Sequence, residues 1–541
     1  MKNIIKLFLF CGIAGLFSCT GDFEDINTNP FDPEVAPSAP ILTYVQRVMS
    51  GKYGGVWYNF NESSSMAGHV TKIAYIDEAR YSYRTGTVDA MFNDPYVYIR
   101  NLNRILINEE GENGNPNMAA VAMILKCYIY HMVTDHLGAI PYSEAFQGES
   151  GKYTPKYDSQ ESIYRDMLEV LKTASNMINE NPPATLRITG ADIIYGGNVT
   201  RWKKFANSLR LRLAVRMSYV DEAGAKTVIS EILGNPTTYP LLESNADNAR
   251  FKWPGDANYK EPLSDAQLTR RDYVACSYIV DMLSELDDPR LPIYVQKTAA
   301  DGIYTGFIAG ALSVGNGSTT SNVGTFFSEN VGGYTYYFRY AEVELLKAEI
   351  FERGLFTGDA EAAYNAGITA SLEEYAALPA PHPSINQDLV APYLALPKVA
   401  YTNAELPRLT FASNEYYAEK ISAADYALIR LIPDNILLNE CANATVKASP
   451  KLQKIAYQKW LALFQQGLEA WAEVRRTDIP VIPPAPARPT AYADHNRCPT
   501  RYPYPFAEQP VNGDNLAAVS GGIVHLYWGQ QMWWDKRTGI K

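Results

Sequence analysis

Two neighbouring stretches decide the fold: YFRYAEVELLKAEIFER, Tyr337–Arg353, and DAEAAYNAGITASLEEYAA, Asp359–Ala377. Each carries apolar residues at helical spacing, and Gly354 with Gly358-Asp359 stops the first and turns into the second. The spacing therefore predicts an antiparallel helical pair. Ala348, Ala360 and Gly367 are small enough to let the two helices approach, while Phe351 and Tyr364 are large enough to fill the gap to a following pair.

These small and aromatic places resemble those of a tetratricopeptide repeat, in which no pair buries its own apolar face and neighbours must stack. Working outward, hairpins of the same kind are predicted over 94–137 and 158–219, with another ending in 450–476. In the first, Tyr98, Leu102, Ile105 and Leu106 face Val121, Leu125, Tyr128 and Met132 across the Gly111–Pro116 turn. Shorter helical signals lie at Ile41–Val48, Val56–Tyr75, Arg270–Leu286 and near Asn414–Ile432, and Pro450–Thr477 reads as one strong helix. Thr200 is placed to cap the helix that runs to Tyr219. The expected fold is mainly α: tetratricopeptide-like hairpins forming a scaffold, with long irregular loops at about 234–335, 378–413 and 478–530. The last is proline-rich but also aromatic, and is expected to wrap over the helices. Asp301–Gly333, rich in Gly, Ser, Thr and Asn, is expected at the surface as loop or short hairpins.

The N-terminus has a separate logic. Lys2 and Lys6 precede an uncharged apolar run, Leu7–Phe17, too short to cross a bilayer, which takes roughly 20 apolar residues. This is the pattern of a secretory signal. Its end, Leu16-Phe17-Ser18-Cys19, resembles a bacterial lipobox, which implies a signal peptide over 1–18 and lipidation of Cys19. Ordinary cleavage nearby, with Cys19 an incidental thiol, is the alternative. Residues 19–36 are polar and acidic and read as a tether, leaving 37–541 as one domain.

The 541 residues carry a net charge of −11, which becomes −13 once Lys2 and Lys6 leave with the signal. That balance argues against nucleic acid as a partner. Cys127, Cys276, Cys441 and Cys498 are widely spaced with no CxxC pair; a Cys441–Cys498 disulfide is open. The helix at Thr200–Tyr219 bears Arg201, Lys203, Lys204, Arg210, Arg212 and Arg216 opposite its apolar stripe, and these are expected on a solvated face. No GxSxG, GxGxxG, P-loop or HExxH is present, so no catalytic residue, cofactor or metal is assigned. Asp135 beside His136 is expected to be a structural contact. Asp247 and Asp256 are loop carboxylates of the kind that supply calcium with oxygen ligands, with no spacing that singles them out.

With 38 tyrosines and 8 tryptophans, aromatic side chains are abundant enough to serve both core and binding surface. Tyr75, Asp77, Arg80, Tyr81 and Tyr83 alternate rings and hydrogen-bonding groups in one expected loop, with Trp57 just before it; Trp253 and Tyr259 lie in a second. Rings stack on the C–H faces of sugars while polar groups meet hydroxyls, so these eight are the candidate ligand-binding residues. Packing in the core is the competing role for each.

The lipobox, Asp25-Ile26-Asn27-Thr28-Asn29-Pro30, the run from Trp202 to Ala214, Arg339-Tyr340-Ala341-Glu342, Gln458–Thr477 and Arg501-Tyr502-Pro503-Tyr504-Pro505 together resemble the SusD/RagB family of outer-membrane nutrient-binding lipoproteins of Bacteroidetes, in its SusD-like branch. The resemblance implies a SusD-like fold and a non-catalytic receptor at the cell surface. It also implies a SusC-like TonB-dependent transporter as partner and a glycan, or for some members a peptide, as ligand. A surface glycoside hydrolase is the competing function.

Overall fold

In the computed structural model the chain is described at residues 36–311, 318–404, 423, 441–521 and 527–540. The signal, Cys19, almost all of the tether and the helix expected near Asn414–Ile432 lie outside these, apart from residues 36 and 423. Six helices open the described chain: α1 (Ser38–Tyr53), α2 (Thr85–Asn108), α3 (Pro116–Leu137), α4 (Gln160–Met177), α5 (Val199–Met217) and α6 (Glu222–Gly234). Each packs against the next, and each interface is apolar: Ile99 and Leu102 of α2, Val121 and Leu125 of α3, and Met167 and Leu171 of α4 are fully buried. Asn115 and Ser159 cap α3 and α4 by accepting backbone N–H bonds, worth about 0.5–2 kcal/mol each. The cap of α5 is Asn198, not Thr200; Asn198 Oδ1 accepts from Arg201 N at 3.1 Å, and the Thr200 hydroxyl donates instead to Glu180.

After two shorter helices, α7 (Pro262–Thr269) and α8 (Ser277–Glu285), the predicted hairpin appears as α9 (Tyr340–Glu352) and α10 (Ala360–Glu373). Its close approach depends on Gly367, where a Cβ would come within 2.6 Å of Leu345 Cγ. Helix α11 (Pro450–Ala462) packs on both, and α12 (Gly467–Thr477) follows. The single helix expected over Pro450–Thr477 is therefore two. Gln465 between them has φ 72°, and Gly467 donates its N–H to Asn59 Oδ1 at 2.7 Å, an approach that any side chain at 467 would block.

Among the described residues three two-stranded antiparallel sheets tie the loops to the helices: β1 (Val70–Lys72), β2 (Ile140–Pro141), β3 (Tyr157–Asp158), β4 (Ala249–Lys252), β5 (Tyr273–Ala275) and β6 (Tyr334–Phe338) pair as β1–β5, β2–β3 and β4–β6. They correct two helix expectations. Val56–Tyr75 forms a wide π turn at Val56–Ser63, one turn at Ser64–Met66 and then β1; Arg270–Leu286 is β5 before α8. The 301–333 region is only partly at the surface, because Phe307, Ile308, Ala311, Val323 and Phe327 are buried. A last helix, α13 (Glu508–Ser520), follows a segment whose Tyr502 and Tyr504 are buried; Tyr502 N donates to His136 O at 2.7 Å, and Trp471 Nε1 to Pro499 O at 3.1 Å.

The basic face of α5 is the largest departure from expectation. Arg201, Lys203 and Lys204, at its open end, pair with Asp247, Glu180 and Glu243. Arg210, Arg212 and Arg216 are buried. Arg212 meets Glu342 through two bonds of 2.7 Å, Arg216 reaches Asp135, Glu469 and Glu473, and Arg476 and Lys459 share Glu349 and Glu473. Periodicity assigned this face to water because charge is normally solvated; tertiary packing supplies a carboxylate for each cation instead. The four cysteines among the described residues are buried free thiols, so Cys441 and Cys498 are not joined.

Candidate functional site

The last turn of α1, the π turn after it and the first turn of α2 enclose a cavity of about 540 Å³. Gly54 and Gly55 set the bend between α1 and the π turn, where added Cβ atoms would collide with Thr335 and with the Gly51 carbonyl. Leaving that bend, Trp57 points outward and is 50% exposed, and the Arg84 guanidinium carbon lies 5.8 Å from the centre of its ring. Lys52 and Tyr58 form the neighbouring wall; Thr85, Gly86 and Thr87 form the opposite one. A Cβ on Gly86 would meet nothing within 4 Å, so this side of the cavity is open.

The polar groups are held in place. Glu78, buried, pairs with Arg84 Nε at 3.0 Å and holds the guanidinium beside the Trp57 ring. Asp94 takes Lys52 at 2.7 Å and the Tyr58 hydroxyl at 2.7 Å. Burial, then Asp94, pushes the Tyr58 hydroxyl far above its ordinary range, so it stays a protonated donor. Behind Glu78 lies Glu62, whose carboxyl is also pushed up, by burial first and by Glu78 second. The result is a half-exposed indole flanked by a guanidinium, an ammonium and two threonines: a flat apolar face with hydrogen-bond donors at its rim.

The eight sequence candidates divide. Trp57 lines the cavity. Tyr259 stands beside Arg47, 5.2 Å from the ring centre, one turn of α1 before Gly51, so it borders the same surface. Tyr83 precedes Arg84 and packs edge-on against Phe506 at 4.9 Å. Asp77 and Arg80 pair with each other at 2.8 Å on the 3₁₀ turn that carries Glu78. Tyr75 is 63% exposed but faces Lys72 and Arg270, on the β1–β5 side.

Two candidates are corrected. Tyr81 is buried, packs on Trp528 at 4.8 Å, and takes the Ala485 N–H on its hydroxyl at 2.7 Å. Trp253 is buried behind Gly51, and its Nε1 donates to Thr335 at 3.0 Å. Neither ring faces the cavity, because both are used to hold the loops that frame it. Sequence reading missed Lys52, Tyr58, Arg84, Thr85 and Thr87. Arg84 closes the stretch already singled out, and Thr85-Gly86-Thr87 directly after it was the signal for a helix start there.

Residues 30–505 match the family model SusD-like_2, described as "Starch-binding associating with outer membrane". The chain belongs to this SusD-like family. Among solved structures the SusD-like chain resembles a chitin-binding protein at 25% identity, covering 93% of this chain and 100% of that one, with a TM-score of 0.69. A SusD homologue from Bacteroides uniformis (24% identity, 92% and 99% covered, TM-score 0.71) and a chitin-binding SusD homologue from Flavobacterium johnsoniae (24%, 92% and 97%, 0.72) share the fold. No curated protein matches the chain.

Other chemistry considered for this SusD-like chain is tied up in structure. Asp135 accepts from Trp534 at 2.9 Å and pairs with His131 at 3.0 Å and with Arg216, while His136, pushed down to about 3 by burial and Arg475, is neutral. Asp247 is bound to Lys204, and Asp256 accepts from Asn258 N and Tyr259 N. Among the described residues no group of three or more His, Cys, Asp or Glu side chains could hold a metal, and no helix is long and apolar enough to cross a membrane.

Proposed function

We propose that this SusD-like protein is a non-catalytic surface receptor that binds glycan at the Trp57–Arg84 cavity and passes it to a SusC-like TonB-dependent transporter. It would be held to the outer membrane by lipid on Cys19. The observation that carries the reading is the half-exposed Trp57 ring with Arg84, Lys52 and the two threonines around it. A pyranose offers C–H groups on its face and hydroxyls at its rim, and these are complementary to such a wall. The family description and the chitin-binding relative support a carbohydrate ligand. The charged groups at this wall are engaged in holding it, Asp94 with Lys52 and Glu78 with Arg84, which favours binding over hydrolysis.

The test is calorimetric titration of the detergent-solubilised protein with chito- and malto-oligosaccharides, followed by assay for new reducing ends. Binding without cleavage, weakened at least about ten-fold by Trp57→Ala, is expected. Unchanged affinity in that variant would show the site is elsewhere; new reducing ends would make the protein a hydrolase. Co-purification with a TonB-dependent transporter from the native membrane tests the partner.

A further inference from the structure

A second cavity, of about 410 Å³, lies between the start of α4, the end of α13 and the C-terminal strap. Its volume falls within the range of small-molecule sites, roughly 300–1,000 Å³. The half-buried Trp533 gives it aromatic surface over the buried rings of Tyr157 and Tyr504, and Gln530 and Gln531 give it amides, that of Gln531 donating to Arg537 O at 3.2 Å.

The walls are fixed before any ligand arrives. Tyr504 donates its hydroxyl to Ala139 O at 2.6 Å, and Tyr157 donates to Glu508 at 2.6 Å. Gln160 accepts from Trp533 N at 2.8 Å while donating to Thr134 O at 2.7 Å. Such a preformed wall avoids the ordering entropy that weakens binding to mobile loops.

The charged groups at the cavity have partners. Arg501 donates to the Leu137 and Tyr502 carbonyls and lies over the Tyr504 ring, and Glu161 pairs with Arg165 at 2.8 Å. What remains for a ligand is the exposed Gln530 amide, the Trp533 ring and, at the rim, the half-exposed Glu161 carboxylate. An anion would be repelled by that carboxylate, and a purely apolar molecule would strand the amide. A neutral, hydroxylated ring satisfies both.

The position of this cavity relative to the first is equally specific. Tyr83, next to Arg84 of the first cavity, packs against Phe506, two residues beyond Tyr504 of the second. Phe506 is 42% exposed and donates its backbone N–H to the Tyr83 hydroxyl at 3.0 Å. An aromatic pair, Phe506 exposed and Tyr83 half-buried, thus links the two cavities.

We propose that the Tyr157–Tyr504–Trp533 cavity is a second saccharide site, filled by the distal rings of an oligosaccharide whose near end occupies the Trp57 cavity. This rests on the saccharide reading of the first cavity. Two linked sites make affinity depend on chain length, because binding at the second becomes intramolecular once the first is filled.

The experiment titrates the detergent-solubilised full chain with a ladder of chito- and malto-oligosaccharides, from disaccharide to octasaccharide. Ala518→Trp plugs the cavity from an exposed position on α13, and Trp533→Ala removes one wall; a thermal melt checks that each is folded. Wild-type affinity is expected to rise at least roughly ten-fold along the ladder. Both variants should lose that rise and keep the disaccharide affinity. If wild-type protein binds long chains and folded Ala518→Trp binds them equally well, the second site is wrong while the first stands. If wild-type protein binds no saccharide of any length, the reading of the first cavity falls, and this one with it.

Discussion

Replacing Glu349 by Gln tests whether the buried ion network holds α9, α11 and α12 in register. Glu349 meets both terminal nitrogens of Arg476 at 2.6 Å, Lys459 at 3.3 Å and Arg353 at 3.4 Å, all nearly out of reach of water. Burial raises its carboxyl, but Arg476 and Lys459 outweigh that and hold it down at about 2. Against the usual 4.5, a difference of about 2.5 pH units corresponds to roughly 3 kcal/mol. Loss of one partner from a buried pair costs about 3–5 kcal/mol by comparison with other proteins, and that is the loss expected for Glu349→Gln. The exposed pair Glu222–Lys226, at 2.7 Å, provides the control, with about 0–1 kcal/mol expected for Glu222→Gln.

Urea unfolding followed by circular dichroism gives both numbers, and the Glu349→Gln/Arg476→Gln double variant gives the coupling. The sign with pH also follows. Because the folded carboxyl is the stronger acid, its contribution is complete above about pH 4.5 and disappears as pH falls toward 2. Wild type should therefore lose more stability than Glu349→Gln over that interval. The reasoning is refuted if Glu349→Gln costs no more than Glu222→Gln, or if the double variant shows no coupling.

Other outcomes can be measured as directly. Gly86→Phe enters open space in the first cavity, so stability should change by no more than about 0.5 kcal/mol while oligosaccharide affinity falls at least about ten-fold by calorimetry. Burial raises the Glu261 carboxyl to about 7, against the backbone and hydroxyl bonds of Ser264 that lower it, so its contribution should be lost as pH rises from about 4.5 to 7. Glu261→Gln should flatten the melting temperature over that interval. Cys19→Ser should move the protein from the membrane fraction to the soluble one on cell fractionation; retention after a carbonate wash would place the anchor elsewhere.

The amino-acid sequence by itself determined the central helical hairpins, though not the π turn, β1 and β5, or the break at Gln465. Helical spacing, Gly354 and Gly358 as stops and Gly367 as the close-approach residue are local properties, and they specified the α9–α10 hairpin before any tertiary contact was considered. The one cap read from the pattern, Thr200, was displaced by Asn198 two residues earlier. Local pattern also brought out Trp57 and the 75–84 stretch, because alternating rings and polar groups are unusual in a helix. What it could not supply was direction. Arg212 and Arg216 look solvated until Glu342 and Glu469, far along the chain, arrive beside them. Trp57 and Trp253 look equivalent as residues, yet they lie on opposite sides of the end of α1, one outside and one behind Gly51. Long-range partners decide whether a charge or a ring faces water, and those partners exist only once the chain has folded.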